Sequence, residues 1–209
     1  MTDPLGYIID KWDLKHALTN DPPIIIPNTN RSILTKLFRE LDYKRGAEIG
    51  TCRGTFARTI IYNNPECKLF CVDPWETYDG LEDWLDQVAL KEHEQAAIVR
   101  LKEYPNVEIV REYSMNALEH FEDNSLDFVY IDANHSFPYV AEDVYYWSQK
   151  VRTGGIVSGH DYLTVCRKDG QVQVKEVVDA YTKAFKIKKW FVMDLGTAKR
   201  AGSFFWVKQ

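Results

Sequence analysis

Two stretches of the chain concentrate side chains that titrate near neutrality or bind cations. Tyr130-Ile131-Asp132-Ala133-Asn134-His135 and Gly154-Gly155-Ile156-Val157-Ser158-Gly159-His160-Asp161-Tyr162 each follow an apolar run with an aspartate and a histidine. The chain has five histidines, and two of them fall here. Imidazole serves as a general base or a metal ligand near neutral pH, so His135 and His160 are candidates for either role. A third stretch, Glu48-Ile49-Gly50-Thr51-Cys52-Arg53-Gly54, joins an acid to two glycines. Gly50 and Gly54 let the backbone approach a ligand, and a helix starting near Gly54 aims its free N–H groups at the same place. Glu48 falls on an apolar run, where a carboxylate is costly unless it meets a cation or N–H donors. Asp73 closes the next run, Leu69-Phe70-Cys71-Val72-Asp73, 25 residues after Glu48. An acid at that spacing is placed to accept hydrogen bonds from a ribose diol. Trp75 then either covers an adenine face or belongs to the core. Ser114, in Arg111-Glu112-Tyr113-Ser114-Met115, reads as a helix N-cap that also borders a purine ring.

These tips need a scaffold, and the hydrophobic pattern supplies one. Short apolar runs alternate with helical stripes, the signature of parallel strands joined by crossover helices in an α/β sheet. Seven strands are expected: Ala47–Gly50, Leu69–Asp73, Val107–Arg111, Phe128–Asp132, Gly155–Ser158, Ile187–Met193 and Ser203–Val207. Helical stripes run through Leu34, Leu37, Phe38 and Leu41; Leu81, Trp84, Leu85 and Val88; Val140, Val144 and Trp147; and Val174, Val177, Val178, Tyr181 and Phe185. The last two strands lack room for a crossover and should form an antiparallel hairpin. Residues 1–28, with Pro22, Pro23 and Pro27 around an isoleucine triplet, read as an irregular arm, and 29–209 as a single domain.

Composition excludes several classes. The 209 residues carry a net charge of -5, with no basic stripe to hold a phosphate backbone, so nucleic acid is not an expected partner. No apolar run approaches the ~20 residues that span a bilayer, and no secretory leader is visible, so no membrane partner and a cytoplasmic location are expected. Cys67 and Cys71 on one strand would lie about 13 Å apart, too far for a disulfide, and read as core thiols. The sequence leaves a homo-oligomer open.

Taken in order, the Glu48–Gly54 turn, Asp73, Asp132–His135 and the Gly154–Tyr162 run resemble a class I S-adenosylmethionine-dependent methyltransferase. The likeness is to small bacterial methyltransferase-domain proteins similar to sugar and polyketide O-methyltransferases, and it covers about 47–207. It implies a Rossmann-like sheet of seven strands in the order 3-2-1-4-5-7-6, the last antiparallel, with helices on both faces. It implies S-adenosylmethionine as cofactor, with Gly50, Thr51, Cys52 and Gly54 along its methionine portion and Glu48 near the amino group. Asp73 would hold the ribose, Trp75, Ser114 and Met115 the adenine, and Asp132 would lie below the sulfonium. Cys52 replaces the usual middle glycine of the turn. The implied reaction is O-methylation of a small hydroxyl-bearing acceptor. Two versions follow from the resemblance: Mg²⁺ or another divalent metal on Asp132, His160 and Asp161, or a metal-free site with His135 or His160 as base and Asp161 beside it.

Two other classes share these features, an NAD-dependent oxidoreductase and a non-catalytic cofactor-binding protein. The first would need glycines at 52 and 55, where the chain has Cys52 and Thr55.

Overall fold

The computed structural model describes residues 3–78, 86–163, 165–167, 170–194 and 202–209. An eight-stranded sheet runs through them. Its strands are β1 (Ile24–Pro27), β2 (Arg45–Ile49), β3 (Lys68–Val72), β4 (Val107–Val110), β5 (Leu126–Ile131) and β6 (Val151–Tyr162), with β9 (Trp190–Asp194) and β10 (Gly202–Val207). A separate antiparallel pair, β7 (Val165–Arg167) and β8 (Gly170–Val172), lies between them in sequence. The helices are α1 (Pro4–Lys11), α2 (Arg31–Glu40), α3 (Thr55–Asn63), α4 (Gln87–Leu101), α5 (Ser114–Ala117), α6 (Phe137–Lys150) and α7 (Val174–Ala184).

The sheet order is β1-β9-β10-β6-β5-β2-β3-β4. All neighbours are parallel except β10, which runs antiparallel to both β6 and β9. The expected order of seven strands is therefore present, with an eighth added at the β9 edge. That eighth strand corrects the reading of residues 1–28 as an irregular arm. They hold α1, a short 3-10 turn and β1, whose Ile24 pairs with Phe191 and Ile26 with Met193. The prolines are compatible with a strand here because β1 is an edge, where a missing N–H leaves no central ladder broken. Ile24 and Ile26 are buried while Ile25 is 47% exposed, the alternation of a strand covered on one face.

The central strands are covered on both faces, so they read as continuous apolar runs rather than alternating ones. In β5, Phe128 and Tyr130 enter one core layer with Leu34, Phe38 and Ile60, and Val129 and Ile131 enter the other with Val140, Val144 and Trp147. Three expected helical stripes appear in α2, α6 and α7, although Phe185 just past α7 is exposed. The stripe through Leu81, Trp84 and Leu85 lies outside the described residues, and Val88 on α4 is exposed. Cys67 and Cys71 are buried thiols, as expected. Among the described residues no helix is long and apolar enough to cross a membrane.

Candidate active site

A cavity of about 400 Å³ opens where β2, β3 and β5 end. This is the carboxyl edge of the parallel strands, where ligands of open α/β sheets collect.

The β2 end forms its floor. Glu48 is 2% exposed, lines the cavity, and leaves its Oε2 without a hydrogen-bond partner. Burial, and then the nearby Asp132, push its carboxyl well above the usual range. The turn that follows is built on left-handed backbone. Gly50 has φ +89°, and a Cβ there would lie 2.2 Å from the Asp132 carbonyl oxygen. Its smallness is thus required first by the neighbouring β5 loop, and it lets β2 and β5 end side by side. Gly54 (φ +68°) caps α3 and packs on Ala97 and Leu101 of α4. Cys52 adopts a left-handed φ of +50° despite its Cβ. The Cys52 N–H donates to Asp73 Oδ2 at 2.8 Å, and its thiol lies 3.4 Å from His93 Nδ1. Burial, then Asp73, raise the thiol pKa, which argues against a reactive thiolate.

Asp73 accepts a second backbone bond, from the Trp75 N–H at 2.9 Å to Oδ1. Burial raises its pKa against these two donors. Each oxygen keeps a lone pair beyond these bonds. Trp75, 1% exposed, donates its indole N–H to the Cys52 carbonyl at 2.8 Å and still borders the cavity, so it is both core and wall.

Two adenine-side expectations change. Ser114 lines the cavity, but the N-cap of α5 is Tyr113 and Ser114 is the first helical residue. Its hydroxyl donates to Asp143 and accepts from Trp147 Nε1 at 2.7 Å, which ties α5 to α6. Met115 does not line the cavity; it packs against the α6–α7 side of the core, because the helical turn swings it away from the crevice.

The β5 and β6 ends form a charged cluster. Asp132 receives Arg31 Nη1 on Oδ2 at 2.9 Å, and its Oδ1 is 3.5 Å from His135 Nε2. The same His135 nitrogen lies 2.9 Å from Asp161 Oδ2, and His160 Nδ1 lies 3.0 Å from Asp161 Oδ1. Burial works against a charged His135, but its contacts with Asp132 and Asp161 outweigh burial and push its pKa up to about 10. Burial likewise disfavours ionised Asp161, yet His135 and His160 hold its carboxyl well below the usual range.

The expected metal set was Asp132, His160 and Asp161. Among the described residues, the group whose donor atoms converge is instead Asp132, His135 and Asp161, within 4.8 Å of one another. Asp161 lies between the two imidazoles, its Oδ2 at His135 and its Oδ1 at His160, on a backbone that leaves regular strand geometry with φ +52°. His135 reaches the cluster through a tight turn in which Asn134 Oδ1 accepts the Ser136 N–H at 2.8 Å. Of these four residues, Asp132 and His135 line the cavity, whereas His160 and Asp161 do not.

Arg31 was not anticipated. A signal existed: it opens α2, and a cation in a helix's first turn opposes the helix dipole, so another interaction must hold it there. His93 and Tyr78 also border the cavity.

A family model described as a methyltransferase domain matches residues 47–162. No curated protein matches the chain. Among solved structures, an O-methyltransferase from Bacillus cereus in complex with SAH aligns at 13% identity over 98% of this chain and 90% of that one, with a TM-score of 0.62. The O-methyltransferase TomG from Streptomyces achromogenes in complex with SAM aligns at 16% identity over 100% and 91%, with a TM-score of 0.60. Spermidine synthase from Thermotoga maritima aligns at 13% identity over 83% of this chain and 56% of that one, with a TM-score of 0.54. At these identities the likeness is one of fold.

Proposed function

Because the chain belongs to the methyltransferase-domain family, its match spanning more than half of the sequence, we propose that it moves a methyl group from S-adenosylmethionine to a hydroxyl oxygen of a small molecule. The observation that carries this reading is the buried, unpartnered oxygen of Glu48 in the same cavity as Asp73 and the Asp132–His135 pair. A buried orphan acceptor is costly, and the α-ammonium of an amino-acid ligand would satisfy it.

The residues fit the donor along its length. Glu48 takes the ammonium, the Gly50–Gly54 turn runs beside the methionine chain, and the remaining lone pairs of Asp73 accept the ribose hydroxyls. Trp75 and Ser114 border the base. The bound cofactor supplies an already activated methyl on a sulfonium. The chain's own task is then to align the acceptor oxygen and lower the cost of its lost proton.

His135 does the second part as a fixed charge rather than as the base first expected. Held as an imidazolium between two carboxylates, it stabilises negative charge growing on the acceptor oxygen, and Asp132, the carboxylate that lines the cavity, receives the proton. Asp161 and His160 hold His135 in place.

Asp132, His135 and Asp161 also have the donor chemistry of a divalent-cation site. With an imidazole among them, Mn²⁺ or Zn²⁺ suits the set better than Mg²⁺. Arg31 and His135 already supply positive charge to both carboxylates, so the first reading needs no metal. Exhaustive dialysis against a chelator separates the two: unchanged methyl transfer supports the imidazolium, and loss restored by Mn²⁺ supports the metal. The reaction itself is tested by supplying labelled S-adenosylmethionine with a panel of catechols, sugars and phenols. Label transferred to an oxygen supports the proposal, and label transferred only to nitrogen or carbon overturns it.

A further inference from the structure

We propose that Arg31 binds the α-carboxylate of the donor and so makes the cavity select S-adenosylmethionine over its decarboxylated form. This deepens the methyl-donor reading above and rests on it.

Arg31 and Glu48 line one cavity, and the attraction between them is electrostatic only, with no ion pair formed. A buried acid with a spare oxygen and a guanidinium set apart from it complement a zwitterion, an ammonium at one and a carboxylate at the other. The guanidinium has capacity for this second partner. It offers five N–H donors in a planar fork; Asp132 engages Nη1 and the buried Tyr130 hydroxyl takes one more, which leaves donors to spare. Its plane is fixed by the Phe56 ring, 4.7 Å from the guanidinium carbon, and by Asp132 on one edge. A planar fork pre-oriented in this way suits two-point recognition of a carboxylate. The side chain is 36% exposed, so an anion can reach it without crossing packed core.

The other cations at the cavity suit the role less well. His135 is occupied between Asp132 and Asp161, and Arg53 stands exposed on the rim. Arg31 also precedes the residues shared with the methyltransferase family, so it is supplied by the N-terminal segment that this chain folds onto the sheet as α1, β1 and α2. The selection matters because aminopropyl transfer uses the same sulfonium chemistry on a donor that lacks the carboxylate. A guanidinium at this place commits the site to the carboxylated donor.

The test is calorimetric binding of S-adenosylmethionine and of decarboxylated S-adenosylmethionine to the full chain, without acceptor. Wild type should prefer the carboxylated ligand by about 10-fold or more. Arg31→Ala should lose that preference by weakening S-adenosylmethionine alone, leaving the decarboxylated ligand within about two-fold. Arg31→Lys should keep part of the preference, and Arg53→Ala all of it. Thermal melts of each variant verify folding. A full preference in Arg31→Ala, or an equal loss for both ligands, overturns the assignment, the second showing a structural role. Failure of wild type to bind either ligand overturns the donor reading and this inference with it.

Discussion

The two halves of the crevice differ in how their charge is balanced. At the ends of β2 and β3, Glu48 is buried with an oxygen unmet and Asp73 is held only by backbone N–H groups. At the ends of β5 and β6, each carboxylate already faces a cationic side chain: Asp132 meets Arg31 and His135, and Asp161 meets His135. The first half is incomplete without a cationic ligand, whereas the second is neutral by itself. Arg31 aside, a site of this kind should bind its cofactor through the first half and shift protons through the second, so changes at Glu48 and Asp73 should move binding and changes at His135 and Asp161 should move turnover.

The largest effect is expected at His135. Replacement by Gln removes the fixed charge and should lower methyl transfer by about 10²-fold or more while leaving S-adenosylhomocysteine affinity within about two-fold. Asp161→Asn and His160→Ala should follow the same pattern with smaller losses, since both act through His135. A parallel loss of cofactor affinity in any of them would erase the division between the halves. On the other side, Asp73→Ala should weaken S-adenosylhomocysteine by roughly 1.5 to 3 kcal/mol, the range for hydrogen bonds to a charged group. Unchanged affinity in a titration would remove Asp73 from the site.

Gly50 joins the halves. An alanine there would meet the Asp132 carbonyl and carry a positive φ, so Gly50→Ala should cost stability by about 1–3 kcal/mol in a denaturant titration. A variant as stable as wild type would show that the loop after β5 can retreat.

The smallest effect concerns Asp143, behind Ser114. Burial pushes its pKa up to about 7, against an ordinary value of 3.8. Between those values the folded chain holds a proton that the unfolded chain has released, so this group's contribution to stability falls as pH rises through the window. Asp143→Asn has no such proton. Its melting temperature relative to wild type should therefore shift in the variant's favour from pH 4 to 7 and level off above. A difference independent of pH would show that Asp143 is not buried as described.

Much of the scaffold was legible because strands packed on both faces leave unbroken apolar runs such as Phe128–Ile131, and α6 and α7 leave helical stripes. The β1 edge was not, since three prolines mask a strand whose pairing partner, β9, lies more than 160 residues away. The donor-side acids could be read from spacing because Glu48 and Asp73 end adjacent strands, and spacing along the chain maps directly onto position. The acceptor side depends on directions that spacing does not encode. A left-handed backbone at Asp161 sets its carboxylate between His160 and His135, and an Asn134 turn folds His135 back between the aspartates. Met115 and Ser114 follow the β4 end closely in sequence, but the helical turn, and for Ser114 its bonds to Asp143 and Trp147, decide where they point.

The central claim is that the crevice at the β2 and β3 ends receives a nucleoside amino acid carrying a sulfonium or its thioether product. Isothermal titration of the full chain with S-adenosylhomocysteine and, separately, with NAD addresses it directly. Saturable one-to-one binding of S-adenosylhomocysteine with no heat from NAD is the expected result; NAD binding with no response to S-adenosylhomocysteine would contradict it.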